Sequence, residues 1–171
     1  MKLYYFLKVM QLFSVYRGYD MDIRKIEENN RPTVNTVKRF FKNGKYDNYL
    51  NIATAASGIT SMDFTKNTSK TTYTDHMEKI YLKAIDAQKI IKSVNEAIGL
   101  LPSERLKTIL VRSCLKREYT YTIYAALHIE RSQFFTLKRY AMYLFADLFL
   151  MRQLANGVSS PIDLTADNDG C

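Results

Sequence analysis

Between residues 77 and 101 the apolar positions Met77, Ile80, Ala84, Ala87, Ile91, Val94, Ile98 and Leu101 follow one another in steps of three and four without a miss. A strand repeats every second residue, so this spacing belongs to a helix, and a stripe of this length is the seam of a coiled coil or of a long bundle helix. The pattern commits the chain to an all-α fold. The two alanines in the middle of the seam bring the partner helix close. One partner is the set of helices that follows, with residues 75–101 as the spine of a C-terminal domain. The alternative is a second copy of the chain, which would make a homodimer. Three and a half heptads are short for an independent coiled coil, and a small domain has to bury every apolar stripe it owns, so the spine is the preferred reading.

The segments around the seam divide the chain. Residues 1–56 read as an N-terminal helical region. It opens with a helix at residues 1–16 that carries a wide apolar surface of Leu3, Phe6, Leu7 and Met10, with Tyr5, Val9, Leu12 and Tyr16 beside it. Lys8 and Gln11 interrupt that run and no small-residue cleavage site follows, so a core-packing helix is expected there in preference to an interfacial membrane helix, with no signal peptide and no membrane span. Asn29-Asn30-Arg31-Pro32 is a break. A short helix from Thr33 then turns Val34, Val37 and Phe41 inward and Lys38, Arg39 and Lys42 outward, and stops at Asn43-Gly44. For that outward face a solvated surface is preferred over a DNA-backbone contact, because exposed Lys and Arg are common. A third short helix is expected over residues 46–56. Residues 57–74, rich in Ser, Thr, Lys and Asn, read as a linker and as the domain boundary. Residues 75–155 form the C-terminal domain, and residues 156–171 an acidic, disordered tail.

Within that domain, residues 102–149 have the grammar of a helix-turn-helix. After the Pro102-Ser103 start signal, Leu106, Ile109, Leu110, Ser113 and Cys114 share one helical face. Thr120 or Thr122 is placed to cap a two-turn helix that buries Ile123 and Leu127. The chain then turns at His128, where a backbone φ above zero is expected, and Ile129 plugs the corner. The last helix opens near residues 130–132, with Phe134, Leu137, Ala141, Leu144, Phe145 and Leu148 as its buried stripe. Arg131, Ser132, Gln133, Thr136, Arg139 and Tyr143 occupy its other face.

Charge points to the partner. The chain of 171 residues carries a net charge of +8, with ten basic and five acidic groups in residues 1–50 and nine against four in residues 101–155. A polyanion is the expected ligand, and the helix-turn-helix pattern selects double-stranded DNA over a membrane surface. Arg112, Lys116, Arg117, Arg131, Lys138 and Tyr143 are the candidate phosphate contacts. Ser132, Gln133, Thr136 and Arg139 are the candidate base readers, since Gln pairs bidentately with adenine and Arg with guanine. The aromatic residues around the unit, Tyr119, Tyr121, Tyr124, Phe134, Phe135, Tyr140 and Tyr143, read as core or as hydroxyl donors to phosphate in preference to base-stacking platforms.

These residues carry a resemblance. Leu101-Pro102, Arg105, Ile109-Leu110, Ile123, Leu127-His128-Ile129, Ser132 and the run Lys138, Arg139, Tyr140, Ala141 resemble the fourth region of bacterial sigma factors. With Gly58-Ile59-Thr60-Ser61-Met62-Asp63, Ile85-Asp86-Ala87, Ala97-Ile98 and Phe145-Ala146-Asp147, the chain more closely resembles the ArpU-like (autolysin regulatory protein) family of phage regulators, over residues 30 to 150. Tyr124 stands where helix-turn-helix units usually have Ala, and His128 where they usually have Gly. The resemblance implies an activator of phage or prophage late genes for packaging and lysis, acting at a promoter or operator in the host cytoplasm, either as a sigma-like subunit of host RNA polymerase or as a conventional activator beside it.

Signatures of catalysis are missing: no phosphate-binding Gly-rich loop, no paired-cysteine metal signature and no nucleophile elbow occur. His76 and His128 are too far apart in sequence to form a metal-binding motif, and Asp75 and Glu78 beside His76 are read as a response to the helix dipole. No enzyme activity, cofactor or metal is expected. Two cysteines, one of them on a core face, suit a reducing cytoplasm. Two other functions fit the same pattern. One is a phage DNA-packaging adaptor that recruits DNA to a motor, and the other is a helical protein-docking module.

Overall fold

The computed structural model describes residues 31–59 and 71–165, so the expectations for residues 1–30, 60–70 and 166–171 lie outside the described residues. The fold is all-α, and no strand occurs among the described residues. Helices α1 (Arg31–Lys42) and α2 (Lys45–Ile59) precede the long α3 (Thr71–Gly99). Then come α4 (Glu104–Leu110), a π-helical turn over Val111–Leu115, α5 (Thr120–Ala126) and α6 (Arg131–Ala155). No described helix is long and apolar enough to cross a membrane.

Most start and stop signals act as the sequence indicates, although α1 begins at Arg31, two residues before the expected start at Thr33. Pro32 sits in the first turn of α1, where its missing N–H costs nothing, and Gly44 takes φ +76 just beyond its end. Ser103 caps α4 by accepting from the Arg105 N–H at 3.3 Å. Gly157 at φ +65 closes α6, with its N–H on the Leu154 carbonyl at 3.3 Å and that of Val158 on the Gln153 carbonyl at 3.1 Å. That pair of bonds is a Schellman motif, and it satisfies two carbonyls the helix end would otherwise leave unpaired.

One core joins the two sides of the 57–74 stretch. Val34, Val37, Phe40 and Phe41 of α1 and Tyr46 of α2 are buried with Ile90, Val94, Ala97 and Ile98 of α3, Leu106 and Leu110 of α4, and Phe145 and Phe149 of α6. The centroids of Phe40 and Phe149 are 5.4 Å apart, as are those of Phe41 and Phe145, and Phe145 and Phe149 stack at 5.4 Å and 11°. Each such ring removed from water contributes on the order of 2–3 kcal/mol, so the phenylalanine cluster anchors α1 to α6.

The seam of α3 is wider than its single column predicts. Ala84, Ala87, Val94, Ile98 and Leu101 are buried as expected, but Ile90, Ser93 and Ala97 are buried too, while Ile80 is 41% exposed. The cause is that α3 packs on two helices, α2 and α6, instead of presenting one edge to one partner. Ser93 reaches that buried position because its hydroxyl donates to the Lys89 carbonyl at 2.7 Å and accepts from Asn156 at 2.9 Å.

Residues 156–165, expected to begin a disordered tail, instead fold back on the bundle. Val158 and Leu164 are buried, and Thr33 of α1 donates to the Thr165 carbonyl at 3.2 Å. Gln153, wholly buried in α6, holds the segment by accepting from the Ile162 N–H at 2.8 Å and donating to the Ile162 carbonyl at 2.9 Å. The acidic composition of the tail hid two apolar anchors whose partners lie far away in sequence.

Candidate nucleic-acid interface

A second, smaller core supports the end of the molecule where the candidate readers sit. Ile109 of α4, Ile123 of α5 and Phe134 of α6 meet with no exposure, and Tyr124, Leu127, Ile129 and Leu137 close around them. The turn between α5 and α6 holds His128 at φ +50, in the left-handed region expected of it. Its N–H reaches the Ala125 carbonyl at 3.2 Å, and that of Ile129 reaches the Tyr124 carbonyl at 3.1 Å. Neither threonine caps α5. Its N-cap is Tyr119, without a side-chain bond, and the Thr122 hydroxyl donates backwards to the Tyr119 carbonyl at 2.7 Å. The reason is that Thr120 and Thr122 already lie inside the helix, past the position from which a side chain can accept from first-turn N–H groups.

The front of α6 is open. Arg131, Ser132 and Gln133 are exposed in its first turn, and its N-cap Glu130 gives no side-chain bond to the first N–H groups. Uncapped donors and the positive end of the helix dipole favour an anion at this point. Thr136 and Arg139, one and two turns further on, are half-buried and lie within 3.5 Å of one another through Arg139 Nη2 and Thr136 Oγ1. Tyr143 is half-buried against the main core. Of the four candidate base readers, Ser132 and Gln133 are the exposed ones, with Arg131 beside them.

The basic candidate phosphate contacts separate into three groups. Lys116 and Arg131 are exposed, and Arg131 lies 5.9 Å over the Phe135 ring. Arg112 and Arg117 are engaged in ion pairs, although the Arg117 side chain stays 53% exposed. Arg112 Nε and Nη2 hold the Glu118 carboxylate at 2.7 and 2.6 Å, and the Glu118 N–H donates to the Arg112 carbonyl at 2.9 Å. This double closure ends the π-helical turn, in which the Lys116 N–H reaches the Val111 carbonyl five residues back. The bond from Arg112 keeps the Glu118 carboxyl below its ordinary range. Arg117, at φ +53, pairs with Asp47 of α2 and donates to the Phe41 carbonyl at 3.2 Å, tying the entry of the helix-turn-helix to α1 and α2. Lys138 is intermediate in exposure, with its ammonium 5.9 Å over the Phe134 ring. Burial pushes its pKa down, and the charge of Lys38 acts in the same direction.

Two features were not foreseen from the sequence. Phe135 is 37% exposed on the front of α6, next to Arg131. Its neighbour Phe134 is on the buried stripe, and the 100° step per residue was the available signal that both could not be core. Tyr119, at the N-cap of α5, and Tyr121, in its first turn, stack at 5.8 Å and are 76% and 60% exposed, which excludes the core reading for both and agrees with exposed hydroxyls. Cys114 is buried, and desolvation raises its pKa, which leaves it a poor nucleophile.

Comparison of the chain with family models, with curated proteins and with solved structures gives no match in any of the three.

Proposed function

We propose that this protein is a sequence-specific double-stranded DNA-binding regulator of transcription, which reads the major groove with the first turns of α6. The observation that carries the reading is the exposed set Arg131, Ser132 and Gln133 at an uncapped helix start, presented on a corner made rigid by Ile109, Ile123 and Phe134. Ser132 and Gln133, continued by Thr136 and Arg139, read base edges. Arg131 and Lys116 hold phosphates and supply the salt-sensitive share of the affinity. The resemblance to the ArpU-like regulators supports late phage genes as the target, activation as the effect and host RNA polymerase as a partner.

Selection of genomic fragments by the purified protein at near-physiological salt tests this function. The expected result is one enriched motif near one promoter. Uniform recovery that vanishes as salt rises would leave charge alone and overturn specific regulation.

A further inference from the structure

The helix α1 presents Asn35, Lys38 and Lys42 as one exposed row, at spacings of three and four residues. In the sequence that row is indistinguishable from any solvated basic face. Its placement makes the difference. Phe40 and Phe41 lock α1 onto α6 through Phe149 and Phe145. Arg117, at the entry of the helix-turn-helix, bonds to the Phe41 carbonyl in the last turn of α1. The row is thus held rigidly next to the unit that carries the candidate readers.

The electrostatics of the junction are unbalanced. Lys38 of α1 and Lys138 of α6 lie near enough for the charge of one to act on the other, and among the described residues neither they nor Lys42 form an ion pair. Packing of α1 on α6 brings these like charges together with no carboxylate paired to either, which is unfavourable in the free protein, and an anion bound beside them reduces the repulsion. Elsewhere the molecule does neutralise its cations at helix junctions, as at Arg112 with Glu118 and Arg152 with Glu96.

We propose that Lys38 and Lys42 of α1, together with Lys138 of α6, form a second phosphate-binding surface, so that the protein grips the backbone of duplex DNA through α1 while α6 reads its bases. This rests on the DNA-binding function proposed above and extends it to a helix outside the helix-turn-helix. The interaction is sequence-blind, because a lysine ammonium is a point charge without the geometry to select a base.

The test is the salt dependence of binding to a labelled duplex containing the selected motif, compared with a scrambled duplex, for the whole protein and two double variants. One variant is Lys38→Ala with Lys42→Ala. The other, Lys79→Ala with Lys83→Ala, removes the same charge from the exposed N-terminal half of α3. Thermal unfolding confirms that both are folded. Each lysine–phosphate pairing removed lowers the slope of log K against log salt by about 0.9, so the α1 variant is expected to show a slope shallower by about 2, with both duplexes weakened equally. The α3 variant should keep the slope of the unmodified protein. Equal slopes in the α1 variant and the unmodified protein, or equal reductions in both variants, overturn the second surface alone. An unmodified protein that binds no duplex at low salt overturns the DNA function together with it.

Discussion

Two guanidinium nitrogens of Arg152 converge on a single carboxylate oxygen of Glu96, Nε at 2.7 Å and Nη2 at 2.5 Å, and tie α6 to α3. Asn156 donates to the same oxygen at 3.0 Å. The bond from Asn156, followed by that from Arg152, holds the Glu96 carboxyl below its ordinary range. The folded protein therefore binds this proton less readily than the unfolded chain does. Glu96 contributes stability above the ordinary glutamate value of 4.5, and that contribution is lost as pH falls through the lower folded value.

The expected outcome is a melting temperature that falls as pH drops from about 5 to about 3, with a shallower fall in Glu96→Gln than in the unmodified protein. Parallel pH profiles from scanning calorimetry would show that the Glu96 carboxylate has no differential role in the folded state.

His128 occupies a left-handed conformation that costs a side chain with a Cβ about 1–2 kcal/mol, part of which glycine returns as entropy of the unfolded chain. His128→Gly should raise stability by about 0.5–1 kcal/mol, while the β-branched His128→Val should lower it. Urea unfolding of the two variants checks the order, and stabilisation by Val would refute the strained turn.

Gln153 satisfies both backbone groups of Ile162 from a position with no exposure. Gln153→Leu keeps the volume and removes both partners, so a loss of about 2 kcal/mol is expected, with amides of residues 158–164 becoming exchangeable. Hydrogen exchange unchanged over that segment would mean that Val158 and Leu164 suffice to hold it.

On the DNA side, Gln133→Ala should relax preference at one base position by about 1–3 kcal/mol, and Arg139→Ala should do the same at another. Lys116→Ala should weaken all sequences equally and lower the salt slope by about 1. Competition assays on singly substituted duplexes separate the two patterns. Equal losses from all three variants would remove the division between readers and phosphate contacts.

Some residues announced their place and others did not. Ile123, Phe134 and Phe145 were legible because each repeats a helical stripe, and His128 because the stripe breaks there and a turn is needed. The five basic candidate phosphate contacts looked alike in sequence, yet Arg112 and Arg117 pair with Glu118 and Asp47 while Lys116 and Arg131 form no ion pair among the described residues. A basic residue carries no periodic signal for its partner, because an ion pair is set by whichever carboxylate the fold brings near.

By itself the sequence determined the all-α class, most helix ends and the left-handed turn at His128, since these depend on φ preferences, capping and spacing within a few residues. Tertiary structure decided that α1, with its exposed Lys38 and Lys42, joins the core of α6, and that Val158 and Leu164 bring the start of the tail back onto the bundle. Those outcomes depend on packing between segments far apart in sequence, where burial of apolar surface selects the partner and local pattern is silent.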